Sequence, residues 1–121
     1  PFPELQMMAL ETLALDILAR HPIPSRNVVG HSDIAPTRKN DPGELFDWRS
    51  LAVKGIGMWP ERAATGPRNV MDALETVGYE TLDYSRALAA FQRHFRPKII
   101  DNKIDEELTC LAAGLLKIIN S

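Results

Sequence analysis

The sequence is short of cysteine, of long apolar runs and of net charge, and each shortage excludes a class of protein. A single cysteine, Cys110, rules out a disulfide within the chain, and its helical surroundings predict a buried structural thiol. No apolar run approaches the roughly 18 residues of a membrane-spanning helix. A net charge of -2 gives no support for binding to an anionic membrane, and no nucleic-acid partner is expected. Because the sequence begins at Pro1 rather than at Met, the lack of a signal peptide says nothing about targeting.

What remains has an ordinary globular composition. The 121 residues are 45% hydrophobic and 25% charged, which suits one ordinary domain or two small ones. Between residues 61 and 67 the sequence becomes small and polar, which is typical of a linker. We therefore predict two domains, residues 1–63 and residues 64–121.

The first predicted domain begins with an amphipathic helix. Apolar residues recur at intervals of three and four positions, at Met7, Leu10, Leu13, Ala14, Ile17 and Leu18. Pro22 and Pro24 end this helix, and the run Val28-Val29-Gly30, with two β-branched residues, predicts a strand. A helix followed by a strand predicts an α/β fold, but one strand cannot bury a core alone. We expect an N-terminal portion of the same protein to supply the rest of the sheet.

A short helix is predicted further along this domain. Asp47 can cap it at its start, and Gly55 can end it. The aromatic residues Phe46 and Trp48 beside it are either buried core residues or part of a wall on which a sugar stacks. Burial is favoured, because large aromatic side chains in small domains usually lie in the core.

The second predicted domain is purely helical. Asn69 can cap its first helix, Pro97 stops its second, and Asp105 starts its third. Each helix carries one apolar face, which predicts a small all-α three-helix bundle that leans on the first domain. His94, inside the second helix, is interpreted as a partly exposed surface residue.

The stretch from Gly30 to Gly43, GHSDIAPTRKNDPG, has the composition of a functional site rather than of a core. Imidazole and carboxylate groups are good zinc ligands, so His31 and Asp41 can supply two of the three that a catalytic zinc ion usually has. They lie ten residues apart, so a turn between them has to fold back. Lys39 then lies near the metal, where its ammonium can stabilise an oxyanion. In the alternative interpretation, all three are ordinary solvated surface residues.

The longer run GHSDIAPTRKNDPGELFDW resembles the signature of the zinc-dependent N-acetylmuramoyl-L-alanine amidases of the AmpD and AmiD type, which are related to the peptidoglycan recognition proteins. The resemblance implies that His31 and Asp41 bind Zn2+ and that Lys39 is catalytic. In that family a further zinc-binding histidine and a catalytic glutamate come from strands upstream, and neither has a counterpart here. His21, at the end of the first helix, is a poor substitute. We therefore expect these residues to be the C-terminal part of such an amidase, inactive on their own.

The helical part carries a second resemblance. The runs LAAFQRHF and DNKIDEEL are similar to the three-helix peptidoglycan-binding module, in which a phenylalanine-glutamine pair precedes a turn and a last helix. The glycines common in that turn are replaced here by Arg96-Pro97 and by Asn102. The likeness therefore implies the fold of the module more than its binding function.

Together the resemblances imply hydrolysis of the amide bond between N-acetylmuramic acid and L-alanine, in peptidoglycan or in muropeptides. They favour the bacterial cell envelope as the location, with the cytoplasm as the alternative. Asp33 and Arg38 are candidates for orienting ligands or holding substrate carboxylates, but Asp33 equally suits capping the loop's own backbone. The alternative function is peptidoglycan recognition without catalysis, against which the retention of His31, Lys39 and Asp41 argues.

Overall fold

The computed structural model of the chain describes residues 2–60 and 69–119, which fold into helices joined by loops. The element order is α1 (Glu4–Arg20), a 3-10 turn (Ser25–Asn27), α2 (His31–Ile34), α3 (Trp48–Val53), α4 (Val70–Val77), α5 (Tyr84–Phe95) and α6 (Glu106–Ile119). Among the described residues, no helix has the length and apolar character needed to cross a bilayer. The predicted linker and the boundary between residues 63 and 64 lie outside the described residues, so the division into two domains stays a prediction.

The prediction of an α/β fold is wrong for the described residues, because they contain no β-strand. Val28 does have the expected extended backbone, with φ -93° and ψ 101°. A strand, however, forms when its N–H and C=O groups pair with a neighbouring strand. Residues 2–60 and 69–119 provide no such partner, so the β-branched run is an extended connection between α1 and α2.

The helix α1 lies where the apolar spacing predicts one and ends at Arg20, just before Pro22. Four of its apolar residues pack against a small cluster of Trp48, Leu51 and Ile56: Met7, Leu10, Ala14 and Leu18. None of its residues is fully buried, and Leu13, predicted on the packed face, is 56% exposed. The first helix therefore covers the small cluster along part of one face.

A larger hydrophobic cluster holds α4, α5 and α6 together. Its most deeply buried large side chains come from all three helices: Leu74, Phe91, Leu108 and Leu115. The predicted caps are present, since the side chain of Asn69 accepts the Met71 N–H at 2.9 Å and that of Asp105 accepts the Leu108 N–H at 2.9 Å. The three helices thus lie where the sequence predicts them. Cys110, on α6, is half-buried rather than buried.

The turn between α5 and α6 closes around Gln92, which is fully buried. Its amide nitrogen donates to Asp101 Oδ1 at 3.1 Å and to the Lys103 carbonyl at 3.2 Å. Its amide oxygen accepts the N–H of Asn102 at 3.1 Å. Asn102 has a φ of 57°, a left-handed conformation in which asparagine is the usual substitute for glycine. Asn102 therefore adopts a backbone conformation that favours glycine.

A second buried polar group, the guanidinium of Arg96, holds the start of α6. Arg96 is 5% exposed, and its Nη1 lies 2.6 Å from both carboxylate oxygens of Asp105. The hydrogen bond from Arg96, followed by the one from the Leu108 N–H, holds the pKa of the Asp105 carboxyl below its usual range. Asp105 thus caps α6 and pairs with α5 at the same time.

We expect Asp105→Asn to make the stability of the protein less sensitive to acidic pH. A carboxyl with a lowered folded-state pKa stabilises the fold above its unfolded pKa, about 3.9, and that contribution is lost as the pH falls through the folded pKa. Asparagine keeps a capping oxygen for α6 but carries no charge. Below about pH 4, the Tm of the variant should therefore fall less steeply with pH than the Tm of the parent, as followed by circular dichroism.

The control for this prediction is Asp16→Asn, which alters an exposed carboxylate of α1. Its Tm should follow the pH as the parent's does. Equal acid slopes for Asp105→Asn and the parent would show that the pairing with Arg96 does not contribute to acid sensitivity.

The helix α5 joins the bundle to the first part of the chain, because it packs against both α2 and α3. Trp48 is 6% exposed and stacks on the ring of His94, with centroids 4.1 Å apart and an interplanar angle of 11°. The prediction that Trp48 is a core residue is confirmed. Phe46 is half-buried and, with Trp59, lines a cleft of about 1010 Å³ between α3 and the end of α5.

Candidate functional site

The loop after α2 brings the two predicted metal ligands together. The N–H of Ser32 donates to the carbonyl of Asp41 at 2.8 Å, which ties the start of α2 to the end of the loop. Nδ1 of His31 then lies 3.4 Å from Oδ2 of Asp41. Both side chains are open to solvent, 50% and 66% exposed. Ten residues apart in sequence, they form one surface pair.

The fold-back between them is a backbone turn after α2. The N–H groups of Arg38 and Lys39 both donate to the carbonyl of Ala35, at 3.0 and 2.9 Å. The turn places Lys39 in the same loop, two residues before Asp41. The side chains of Arg38 and Lys39 are exposed. The predicted turn is therefore present, with Lys39 on its solvent side.

The geometry of the His31–Asp41 pair suits a shared zinc ion. Donors bound to tetrahedral zinc at about 2.0–2.2 Å lie about 3.3–3.5 Å from each other. The observed separation of 3.4 Å falls within that range, and it exceeds the length of about 2.7–2.9 Å that is usual for a charged hydrogen bond. Imidazole nitrogen and carboxylate oxygen are also the donor types that zinc takes.

The pair is not a complete metal site by itself. In the part of the chain that the structure describes, no group of three or more His, Cys, Asp or Glu side chains is placed to hold a metal ion. His21 ends α1 as its exposed C-cap residue and does not join His31 and Asp41. Residues 2–60 and 69–119 therefore bring together two candidate ligands.

Beneath the pair lies a buried carboxylate, Asp33, which is 7% exposed. Its Oδ2 accepts the N–H of Gly30 at 2.9 Å, so it caps the start of α2 from the third helical position. The same oxygen lies 2.6 Å from Nδ1 of His94, and Oδ1 accepts the hydroxyl of Tyr79. Asp33 thus caps the loop's own backbone, one of its two predicted roles, and also binds two side chains from the helical bundle.

Tyr79 remains a hydrogen-bond donor in this arrangement. Burial raises the pKa of its phenol well above the ordinary value, and the charge of Asp33 and the hydrogen bond to it raise it further. The phenol therefore keeps its proton at neutral pH. The Tyr79–Asp33 bond has a fixed direction, from hydroxyl to carboxylate.

The interpretation of His94 as a surface residue is wrong. The side chain is 4% exposed and lies between the rings of Trp48 and Phe95, with centroid distances of 4.1 and 3.9 Å. The face of α5 that carries Phe91 and Phe95 includes position 94, since it lies three residues after Phe91. A carboxylate accepts hydrogen bonds, so Nδ1 of His94 donates to Asp33.

A second contact reaches α2 from the same helix. Nη1 of Arg93 donates to the hydroxyl oxygen of Ser32 at 2.9 Å. Ser32 is buried, directly follows His31, and supplies the N–H that holds Asp41. The helix α5 thus contacts α2 through two adjacent residues, Arg93 and His94. It also reaches the loop through Arg86, whose Nη1 donates to the Thr37 carbonyl at 3.5 Å.

Comparison with known proteins finds amidases, as the sequence of this loop implies. Residues 1–44 match the family model for N-acetylmuramoyl-L-alanine amidase. The N-acetylmuramoyl-L-alanine amidase AmiD of Escherichia coli K12 is 40% identical over 136 aligned positions, which span 97% of this chain and 49% of AmiD. The 1,6-anhydro-N-acetylmuramyl-L-alanine amidase AmpD of Enterobacter cloacae is 44% identical over 48 positions, or 40% of this chain and 26% of AmpD. The chain is therefore similar to amidases of the AmpD and AmiD type.

The fold leads to the same family. The structure of E. coli AmiD in complex with anhydro-N-acetylmuramic acid-L-Ala-D-gamma-Glu-L-Lys superposes with a TM-score of 0.88 and 39% identity. The match covers 98% of this chain and 53% of the AmiD chain. The match thus covers nearly all of this chain, which spans about half the length of AmiD.

Reasoning from the sequence missed the residues that tie this loop to the rest of the chain. One of them, Ser32, lies in α2, and the others contact α2 or the loop from the helical bundle: Tyr79, Arg86, Arg93 and His94. The helical spacing of His94 from Phe91 was a usable signal for its burial. The pairing of Tyr79 and His94 with Asp33 spans 46 and 61 residues, and no local pattern encodes a contact of that separation.

Proposed function

We propose that the protein containing this chain is a zinc-dependent N-acetylmuramoyl-L-alanine amidase, which hydrolyses the amide bond between N-acetylmuramic acid and L-alanine. His31 and Asp41 are its zinc ligands, and Lys39 is its catalytic lysine. The observation that supports this best is the 3.4 Å separation of the two donor atoms on an exposed loop, in a chain similar to amidases over nearly its full length.

The proposal requires donors beyond the residues that the structure describes. A catalytic zinc ion usually has three protein ligands, and the described residues supply two. We propose that a segment of the same protein, outside these 121 residues, provides the further ligand and the general base that accepts a proton from the attacking water. The 121 residues by themselves are then inactive.

Each residue of the loop has a defined task in this reaction. His31 and Asp41 hold the zinc ion, which, when bound, supplies a Lewis acid for the scissile carbonyl and lowers the pKa of water. The ammonium of Lys39 stabilises the negative charge that develops on the carbonyl oxygen. The exposure of all three residues leaves room for a substrate as large as a glycopeptide.

The substrates proposed are peptidoglycan-derived muropeptides. The solved AmiD complex contains an anhydro-N-acetylmuramic acid tripeptide, and the chain is 39% identical to that protein. We propose the bacterial cell envelope as the location, with residues 1–63 as part of the amidase domain and residues 64–121 as a peptidoglycan-binding-like helical domain. The described helices α4, α5 and α6 support the second of these units.

The proposal is tested by zinc content and by cleavage of an anhydro-muropeptide in the full-length protein. His31→Ala and Asp41→Ala each remove a ligand, so we expect each to lower zinc affinity and kcat/KM by more than about 100-fold. Zinc is measured by competition with a chelator, and cleavage by chromatography of the released peptide. A parent-like zinc content and rate in either variant would contradict the site.

Two further variants complete this experiment. His21→Ala alters an exposed histidine of the same chain and should leave both zinc and rate unchanged. Lys39→Met should keep the zinc and lower kcat by roughly 100-fold to 1000-fold, since one stabilising donor of the oxyanion is lost. A parent protein that binds zinc and muropeptide without cleaving it would favour recognition without catalysis.

A further inference from the structure

The helix that carries the first candidate ligand is too short to hold its own position. The helix α2 is four residues long, barely one turn, and a single turn of helix is unstable without contacts from elsewhere. His31 is its first residue and has half of its side chain in solvent. The orientation of His31 therefore depends on what holds the underside of α2.

The carboxylate of Asp33 holds the buried side of α2 in place. The carboxylate accepts three hydrogen bonds, one of them from Gly30 at the start of α2. The other two donors, Tyr79 and His94, lie 46 and 61 residues later in the chain and belong to the helical bundle. Because the carboxylate is 7% exposed, water does not compete for these bonds.

The second anchor runs through the neighbouring residue. The guanidinium of Arg93 donates to the Ser32 hydroxyl at 2.9 Å, while the Ser32 N–H donates to the Asp41 carbonyl at 2.8 Å. Ser32 thus links α5 to the backbone of the second candidate ligand. The backbone of Asp41 is thus connected to the bundle through Ser32, and the start of α2, next to His31, is connected to it through Asp33.

The buried imidazole of His94 lowers the stability of the fold in a way that an apolar ring would not. Its Nε2 is buried and has no hydrogen-bond partner within the described part of the chain. A phenyl ring would fill the stack between Trp48 and Phe95 without an unsatisfied nitrogen. What the imidazole adds is the bond from Nδ1 to Asp33 at 2.6 Å.

From these contacts we infer that Tyr79, Arg93 and His94 are positioning residues for the metal pair, acting on His31 and Asp41 through Asp33 and Ser32. The helical bundle then has a task in the amidase reaction besides any binding of glycan: it sets the separation and direction of two zinc ligands. This inference rests on the proposed function, because it assigns a task at the same site. Removing a residue that orients a metal ligand, without itself contacting the metal, typically lowers metal affinity by roughly 10-fold to 100-fold.

The experiment uses the full-length protein with two variants that each remove one donor. Tyr79→Phe deletes one hydroxyl, and His94→Phe keeps the stacked ring but deletes the nitrogens. We expect each to weaken zinc binding by about tenfold, to shift the visible absorption bands of the Co2+-substituted protein, and to lower kcat with little change in KM. His94→Gln restores an N–H donor and should recover most of the zinc affinity.

Matched controls are available on the surface. Tyr84→Phe deletes the hydroxyl of an exposed tyrosine of α5, and His21→Phe replaces an exposed histidine. Neither should change zinc affinity or the Co2+ spectrum. A third test variant, Arg93→Met, removes the donor to Ser32 at a half-buried position, where loss of folding is not expected, and it should also weaken zinc binding. A parent-like zinc affinity in this variant would remove Arg93 from the positioning residues.

The outcomes separate the inference from the proposed function. A role in folding alone would lower the Tm of Tyr79→Phe and His94→Phe but leave the zinc affinity and Co2+ spectrum of the folded protein equal to the parent's, and that result overturns the inference. If the parent protein does not bind zinc at His31 and Asp41, the proposed function is overturned, and the inference with it. Weakened zinc in the two Phe variants with rescue by His94→Gln supports both.

Discussion

Replacing Gly30 with alanine is expected to lower zinc affinity and kcat/KM of the full-length protein by about 100-fold, although Gly30 itself contacts no metal. A Cβ added at this position would lie 2.6 Å from Cδ of Pro42 and 3.2 Å from Cζ2 of Trp48. The backbone of Gly30, with φ -89° and ψ 165°, suits alanine without strain. The expected loss therefore comes from crowding alone.

The crowding reaches the metal pair through one residue. Pro42 directly follows Asp41, so a displaced proline ring moves the carboxylate away from the imidazole of His31. Trp48 is buried and stacked, so the alanine cannot shift toward it instead. A displacement of about 1 Å at a catalytic group is enough for a loss of this size.

The control is Gly43→Ala in the same loop. Gly43 has a φ of 85°, so alanine is strained there and should lower the Tm, but its Cβ would meet the Asn40 carbonyl at 3.9 Å, an ordinary contact. Zinc affinity, measured by chelator competition, should therefore change in Gly30→Ala and not in Gly43→Ala. Equal zinc affinities in folded Gly30→Ala and in the parent would show that Pro42 can move independently of Asp41.

The sequence predicted the site loop well because its geometry is local. The turn after α2 rests on hydrogen bonds to Ala35 from residues three and four positions later, and proline and glycine punctuate both of its ends. The approach of His31 to Asp41 follows from that turn and from one backbone bond at Ser32. Contacts within a dozen residues leave a signature in the spacing of residue types.

The rest of the site was not predictable because it depends on distant contacts. Nothing near Asp33 indicates that Tyr79 and His94 donate to it from the bundle. The interpretation of His94 as exposed weighed its polarity above its place three residues after Phe91, on the apolar face of α5. Polarity predicts exposure poorly for a residue that has a buried partner.

The fold class was mistaken for a related reason. The run at Val28 and Val29 carries strong β propensity, and its backbone is extended as predicted. Propensity indicates that a segment can join a sheet, but a sheet needs partner strands, and the described residues hold none. The other five α-helices of the described residues, whose hydrogen bonds are internal to the segment, were predicted close to their observed bounds, whereas the four-residue α2 was predicted as part of a loop.

Several of the parts that hold the site meet at Trp48. Its ring stacks on His94 of α5, contacts Phe46 edge-on at 4.9 Å, and belongs to the cluster on which α1 packs. It also closes the space over Gly30, where α2 begins. One side chain therefore joins the first helix, the loop and the bundle.

We accordingly expect Trp48→Ala to lower the free energy of unfolding by about 3–5 kcal/mol, the usual cost of emptying a buried aromatic site. The cavity would adjoin the cleft lined by Trp48 and His94, so the imidazole would lose one of its two stacking partners. In the fraction that stays folded, zinc affinity should fall as well, because His94 is then free to turn from Asp33. Unfolding in urea, followed by circular dichroism, measures the first effect, and chelator competition measures the second.

Trp59→Ala is the matched control, since Trp59 is half-buried, lines the same cleft and packs on Phe95 rather than on His94. It should cost less than Trp48→Ala, under about 3 kcal/mol, and leave zinc affinity unchanged. Trp48→Phe keeps a ring over His94 and should retain most of the zinc affinity. If Trp48→Ala and Trp59→Ala lose the same stability and both keep parent-like zinc affinity, the loop holds its ligands without the stack, and the bundle contributes to stability alone.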